Sequence, residues 1–501
     1  MHCILFYGND HAQGISKYAG PARLATELRI NGFETICIDI GTIQHISFLD
    51  LYEKIINKFV SKDTLWIGFS TTFFESLCGV PIKRITDQNQ LVTSNNDVGF
   101  LNKIIDMCKA KNPTIKFIVG GGNYINLHAY NFIHFRGNAD FEIVEFTKWC
   151  KDSSYSPKLN HSNKIVTCKE YDKFVISKIK WDKTDLLSPS TVLPIEISRG
   201  CIFKCKFCAF PLNGKTKGEW VKHAEILKEE LIENYENFGT TEYIFADDTY
   251  NDSMDKITDL YENVFSQLPF KIKWTAYLRL DLMHRFKESA DILYKSGIKN
   301  IMVGIETNND ISAKAIGKGL DFNKQISYIQ DLKSKDYKDI LISSGFIYGL
   351  PNDTRDSIDG LHNWLLSKDN PLDNWAVTTL GINPPDKTFN KNNFSDIDIN
   401  YEKYGYVIPD ELKANKQMSW QLPNQNLSFE QCSILSNNTL EKSIALPNYK
   451  AGSFVYPRFR SMGISEEELI SKSITNLRKK YNVEQIIKKW RLDYFASLLE
   501  I

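Results

Sequence analysis

Three cysteines stand close together in the run Glu196-Ile197-Ser198-Arg199-Gly200-Cys201-Ile202-Phe203-Lys204-Cys205-Lys206-Phe207-Cys208, spaced C-x3-C-x2-C. Thiolates so spaced on one short loop can wrap one face of a cube-shaped [4Fe-4S] cluster, because soft sulfur ligands suit iron-sulfur assemblies. Three ligands leave the fourth iron open. A bidentate amino acid can chelate that iron, and an electron from the cluster can then cleave a bond in it. A zinc site would ask for four closed ligands, and no further cysteine pair or Cys/His pair lies nearby at finger spacing. Ten cysteines in 501 residues read as reduced thiols, and the grouping of three favours metal over disulfide.

Such a loop needs a strand before it and a scaffold around it. Leu193–Ser198 supplies an apolar strand, and Val221, Ala224, Leu227, Leu231 and Tyr235 then fall at helical spacing, with Gly239 as the stop. Further strands are predicted at Tyr243–Ala246, Lys273–Leu278, Ile301–Ile305 and Ile340–Ile347, with the helical pattern Ile257, Leu260, Tyr261, Val264 and Leu268 between two of them. Strands alternating with helices imply a parallel α/β domain over residues 191–385. The cysteine loop then lies at the top of its first strand, where open parallel sheets and barrels bind ligands.

The first 150 residues alternate in the same way. Strands are predicted at Ile4–Tyr7, Thr35–Ile40, Leu65–Ser70, Ile115–Val119 and Phe132–Phe135, and helices at Ala22–Asn31 and Phe100–Lys109. The expected α/β fold is a doubly wound, Rossmann-like sheet over residues 1–150, with a polar insertion at 79–99. Residues 151–190, rich in Lys, Ser, Asp and Asn, read as a linker. Residues 386–501 read as a mostly helical and irregular C-terminal region. Within it, 464–499 look helical, and Arg478, Lys479, Lys480, Lys488, Lys489 and Arg491 are assigned to a solvated helix face.

From about Leu193 to Leu380 the chain resembles the radical S-adenosylmethionine (SAM) superfamily, whose signature is this cysteine spacing with an aromatic just before the third cysteine, here Phe207. Phe245-Ala246-Asp247-Asp248-Thr249-Tyr250-Asn251 is similar to the acidic motif that faces the methionine amino group. Arg279 and Asp281 resemble the polar pair on the third strand. Gly304-Ile305-Glu306-Thr307 resembles the fourth-strand motif whose acid reaches the ribose, and Gly345-Phe346-Ile347-Tyr348-Gly349-Leu350-Pro351 the fifth-strand motif that backs the adenine. The resemblance implies a partial (β/α)6 barrel, a [4Fe-4S] cluster on Cys201, Cys205 and Cys208, and SAM held by Phe207, Asp247, Asp248, Arg279, Glu306 and Ile347. It implies an external electron donor of flavodoxin or ferredoxin type, and reductive cleavage of SAM to methionine and a 5'-deoxyadenosyl radical. Taken alone, Asp247 and Asp248 also suit the cap of a following helix, Glu306 a loop acid, and Gly349 and Pro351 an ordinary turn.

The first region resembles methionine-synthase-like cobalamin domains, which carry D-x-H-x-x-G after strand one, S-x-L after strand three and G-G after strand four. This sequence has Asn9-x-His11-x-x-Gly14, Ser70-Thr71-Thr72 and Gly120-Gly121 in those places. By resemblance His11 would ligate cobalt, and Ser70, Gly120 and Gly121 would line the cobalamin. Asn9 replaces the acid that would orient the histidine, and Thr72 replaces leucine. A cobalamin-type domain ahead of a cluster domain implies a methyltransferase acting on an unactivated carbon or phosphorus of a small molecule or peptide. Three other readings stand beside it. One is a methylthiotransferase on transfer RNA or a ribosomal protein. It needs a second cluster on Cys3, Cys37 and Cys78, but Cys3 and Cys37 fall in strands and read as buried apolar residues. The others are a radical enzyme whose first domain no longer binds cobalamin, and a cluster-bearing sensor or assembly protein.

Composition narrows the partners. Sixty-one basic and 61 acidic residues give no net charge, so nothing steers the whole chain toward nucleic acid or an anionic membrane. The longest apolar runs are strand-sized, short of the ~20 residues that span a bilayer. Met1-His2-Cys3-Ile4 lacks a secretory start, so the expected compartment is the cytoplasm.

Overall fold

The computed structural model describes residues 1–8, 17–41, 48–70, 82–85, 91–94, 98–121, 131–162, 164–169, 172–210, 212–335, 337–383, 394–409 and 419–501. His11, Cys78 and Thr72 lie outside them. The chain forms two compact units. One holds the described residues up to Ser188, apart from Lys17, together with Glu484–Ile501. The other holds Lys17 and Pro189–Val483.

In the first unit the strands are β1 (Cys3–Tyr7), β2 (Thr35–Asp39), β3 (Trp66–Ser70), β4 (Ile82–Ile85), β5 (Leu91–Ser94), β6 (Lys116–Gly120), β7 (Ile133–Arg136), β8 (His161–Ser162) and β9 (Ile165–Thr167). Seven of them make one sheet in the order β2-β1-β3-β6-β7-β9-β8, parallel but for the last pair. β4 and β5 form a separate antiparallel hairpin inside the stretch read as an insertion. The central strands are unbroken apolar runs because both faces of a parallel sheet are covered. Ile4, Phe6, Ile36, Ile38, Ile67 and Phe69 pack on one face, while Cys3, Leu5, Tyr7, Cys37, Trp66 and Ile118 pack on the other. The helix Leu49–Phe59 covers the first face with Tyr52, Ile55, Ile56 and Phe59, spaced i, i+3, i+4, i+7.

Two segments differ from their sequence readings. Within 151–190, read as a linker, β9 pairs with β7 and extends the sheet, and Asp185 is ion-paired with Arg29 at 3.2 Å. The last helix, Val483–Glu500, puts Tyr494, Phe495 and Leu498 into the first unit's core. Arg491 is therefore not on a solvated face. Its Nη1 lies 2.5 Å from Asp39 Oδ1, and both side chains are buried. The Tyr494 hydroxyl accepts from Asp39 N at 3.1 Å.

The second unit is built on β10 (Leu193–Glu196), β11 (Glu242–Ala246), β12 (Lys273–Leu278), β13 (Ile298–Glu306), β14 (Leu341–Tyr348) and β15 (Asn374–Thr379). These pair in sequence order, all parallel, with β10 and β15 at the edges of the sheet. One face meets the helices, where Phe245 stacks on Trp274 at 4.4 Å between ring centroids. On the other face, Ala246, Tyr277, Ala376 and Thr378 remain exposed although they sit on strands, so this inner face is open.

Residues after β15 close one end of that inner face. Asn300, Ser343 and Asn374 stand near the starts of β13, β14 and β15. Asn300 Nδ2 donates to Ser453 O at 2.9 Å, Ser453 N donates to Ser343 Oγ at 2.8 Å, and Asn374 Nδ2 donates to Lys450 O at 2.9 Å. Gly452 makes the approach possible, since a Cβ there would lie 2.3 Å from Ser343 Oγ. A short antiparallel pair, β16 (Gln421–Leu422) and β17 (Leu427–Ser428), follows the barrel strands. Among the described residues no helix is long and apolar enough to cross a membrane.

Candidate active site

β10 delivers the chain to a loop that doubles back on itself. Arg199 N donates to Trp220 O at 3.1 Å, and Cys201 O accepts from Gly214 N at 2.6 Å. The reversal turns on Gly200, whose φ is +76°, and a Cβ there would lie 2.6 Å from both the Cβ and the O of Leu212. Only glycine fits. Cys208 N donates to Cys205 O at 3.1 Å, completing the turn that carries the second and third cysteines.

Each thiol meets a polar side chain from a different place in the fold. Cys201 Sγ lies 3.2 Å from Thr249 Oγ1, Cys205 Sγ is 3.5 Å from Arg279 Nη1, and Cys208 Sγ is 3.2 Å from Asn213 Nδ2. Burial raises the Cys201 and Cys208 thiols above their ordinary range, and each also feels the charge of Cys205 and of Asp248. The three cysteines and Asp248 are thus one neighbourhood. Among the described residues no three His, Cys, Asp or Glu side chains crowd closely enough to share a single metal ion. The donor set, three half-buried sulfurs on one loop, fits a [4Fe-4S] cube.

The two aspartates after β11 take different roles. Asp247 is buried, with Oδ1 accepting from Thr249 N at 2.9 Å and Oδ2 from Lys256 Nζ at 2.7 Å. Lys256 also reaches Asp252 at 3.4 Å, so Asp247 belongs to an ion-pair network beneath the loop. Asp248 is the acid left on the cysteine side. Burial and then the neighbouring Asp247 charge push its carboxyl up to about 6, against the pull of Lys215 and the Gly200 N–H.

Arg279 follows β12 and is held on three sides. Its Nε and Nη2 donate to the two oxygens of Asp281 at 3.0 and 2.6 Å, and its guanidinium carbon lies 3.8 Å from the Phe203 ring centroid. Burial would raise Asp281, but the paired hydrogen bonds from Arg279 outweigh it and hold the carboxyl below its usual range. Glu306 ends β13 at φ +71°, where β13 and β14 shift register. A non-glycine residue held there stores strain, of the kind that gathers at ligand sites. Its Oε1 pairs with Lys318 Nζ at 3.3 Å. Phe207 is half-buried on the cysteine loop, and Ile347 is half-buried on β14.

Sequence reasoning missed the partners Thr249, Asn213 and Lys318, and two aromatic residues on the inner face. Tyr277, one pleat below Arg279, is 39% exposed, and Phe454 is 40% exposed, with their ring centroids 5.6 Å apart. In the first unit, Ser70 and Gly120 end β3 and β6 directly opposite each other, and Gly121 follows at φ +128°. This is the edge where doubly wound sheets bind ligands. Cys3 and Cys37 are buried in the core, where Cys3 is raised by burial.

Comparison with known proteins places these observations. The family described as the Radical SAM superfamily matches residues 195–365. An uncharacterised methyltransferase of Pyrococcus horikoshii is 28% identical over 168 residues, 33% of this chain and 34% of that protein, so the chain spans about a third of that relative. Among solved structures, the radical SAM methyltransferase TsrM from Kitasatospora setae, with tryptophan substrate and a SAM analogue bound, is 13% identical. It covers 82% of this chain and 78% of its own, with a TM-score of 0.57. The cobalamin-dependent SAM radical enzyme OxsB, with aqua-cobalamin and SAM bound, is 15% identical, covers 81% and 56%, and has a TM-score of 0.50. At these identities the two structures establish a shared fold. Residues 195–365 match the Radical SAM superfamily, and that match implies a [4Fe-4S] cluster and SAM for the barrel.

Proposed function

We propose that the chain is a cobalamin-dependent radical SAM methyltransferase acting on an unactivated carbon or phosphorus of a small molecule or peptide. The observation that carries the reading is the gathering of Cys201, Cys205 and Cys208 beside Asp248 and Arg279, at the top of an open inner face. When bound, the cluster and SAM supply reductive cleavage of a sulfonium, and cobalamin supplies methyl transfer. The three cysteines hold the cluster. Asp248 accepts from the SAM amino group, Glu306 faces the ribose and Ile347 backs the adenine, while Phe207 and Arg279 flank them. Tyr277 and Phe454 offer apolar ring surface to the substrate and keep water from it.

Ser70, Gly120 and Gly121 would line the cobalamin, the fold shared with TsrM and OxsB supports that assignment, and His11 is proposed as the cobalt ligand. The electron comes from an external donor of flavodoxin or ferredoxin type. The burial of Cys3 and Cys37 in strands speaks against a second cluster and so against methylthiotransfer. The test is anaerobic purification and cluster reconstitution, with iron counting and mass spectrometry of bound small molecules. About four irons per chain and bound cobalamin are expected, as one cubane requires. About eight irons, or a loaded protein that binds no cobalamin, would overturn the proposal.

A further inference from the structure

Hydrogen bonds to cluster sulfurs favour the more negative, reduced cluster and so raise its potential. The three thiol partners differ in whether they have a proton to give. Thr249 has one, and its hydroxyl already donates to Asp248 O at 2.6 Å. Arg279 reaches Cys205 at the long distance of 3.5 Å, while its two shorter bonds go to Asp281, which also cancels its charge.

Asn213 has no such competitor. Its Nδ2 carries two protons and faces two acceptors, Cys208 Sγ at 3.2 Å and Cys208 O at 3.3 Å. With both neighbours acceptors once the thiol has lost its proton, the amide orientation is fixed by its surroundings. The Asn213 backbone is fixed too. It bridges to Cys201, with Leu212 O accepting from Cys201 N at 3.4 Å and Gly214 N donating to Cys201 O at 2.6 Å. The residues on either side of Asn213 thus tie the first cysteine by their main chain, and the Asn213 side chain reaches the third.

We propose that Asn213 sets the reduction potential of the cluster by donating to the Cys208 sulfur, a positioning role outside the SAM and substrate contacts. The inference rests on the reading of Cys201, Cys205 and Cys208 as cluster ligands. Its consequence is electrochemical. Without the Asn213 donor, only the Phe210 backbone N–H among the described residues still compensates charge on the Cys208 sulfur, and the oxidised cluster becomes harder to reduce.

The test is an anaerobic potentiometric titration of the full-length, reconstituted protein, followed by electron paramagnetic resonance of the reduced cluster without SAM. N213L removes the donor at similar volume. At equal iron content it is expected to lower the ratio of reduced to oxidised cluster about tenfold at a fixed potential, a shift of 59 mV for one electron. N213S, with a shorter donor, is expected to fall between N213L and the wild type. A loaded N213L with the wild-type potential would overturn the proposal. Loss of the cluster from both variants would also overturn it, by making Asn213 a purely structural residue. A wild-type protein that takes up no cluster would instead fail the underlying reading.

Discussion

Replacing Arg491 with Met tests whether the last helix is integral to the first unit. Asp39 and Arg491 side chains are 2% and 6% exposed, and their closest atoms are 2.5 Å apart. The substitution keeps most of the aliphatic length but leaves the Asp39 carboxylate buried, still accepting from the Gly41 N–H at 3.0 Å. Removing one member of a buried pair costs about 3–5 kcal/mol, because the survivor loses both water and its counter-charge. The double variant D39N/R491M should recover most of that loss, since a buried pair contributes little over neutral groups. Hydrogen exchange read by mass spectrometry on peptides from β1 and β2 suits a two-unit chain, which need not unfold in one step. R491M should speed exchange in Ile4–Tyr7 and Ile36–Asp39 by roughly a hundred- to several-thousand-fold. Unchanged exchange, or a double variant as damaged as the single, would refute the reasoning.

Three further outcomes are expected. G200A should lose about 1–3 kcal/mol from backbone strain alone, beyond the contact with Leu212, and reconstituted protein should show lower cluster absorbance at unchanged far-UV circular dichroism. D248N should weaken SAM binding in equilibrium dialysis of the loaded protein while leaving iron content unchanged. Asp353 is buried and its carboxyl is pushed up to about 6, despite accepting from Ser312 Oγ and the Gly349 and Leu350 N–H groups. Its folded value lies above its unfolded one, so the protonated form favours the fold, and this contribution is lost as pH rises from about 4 through about 6. Relative to D353N, the wild type should therefore lose up to about 3 kcal/mol across that window in urea unfolding.

What the sequence disclosed was local. Runs such as Cys3–Tyr7 and Lys273–Leu278 announce buried parallel strands, and the cysteine spacing announces a cluster loop, because each signal lies within a dozen residues. Asp247 and Asp248 look alike in sequence, and only Lys256 on the following helix distinguishes the buried pair member from the acid facing the thiols. Asn213 reads as an ordinary turn residue until the loop folds back on Cys208. Arg491 misled the reading because its partner lies 452 residues away, and a charge that meets a distant strand looks the same in sequence as one that meets water.

The position of the helix Val483–Glu500 bears on how the protein is made. A ribosome releases β1, β2 and the helix Leu49–Phe59 long before it reaches Tyr494, Phe495 and Leu498, so Ile38, Ile40 and Tyr52 emerge with part of their cover still unsynthesised. The nascent sheet must wait, sticky on one side, while the whole barrel is translated. A chain truncated before Tyr494 would leave Ile38, Ile40 and Tyr52 without that part of their cover.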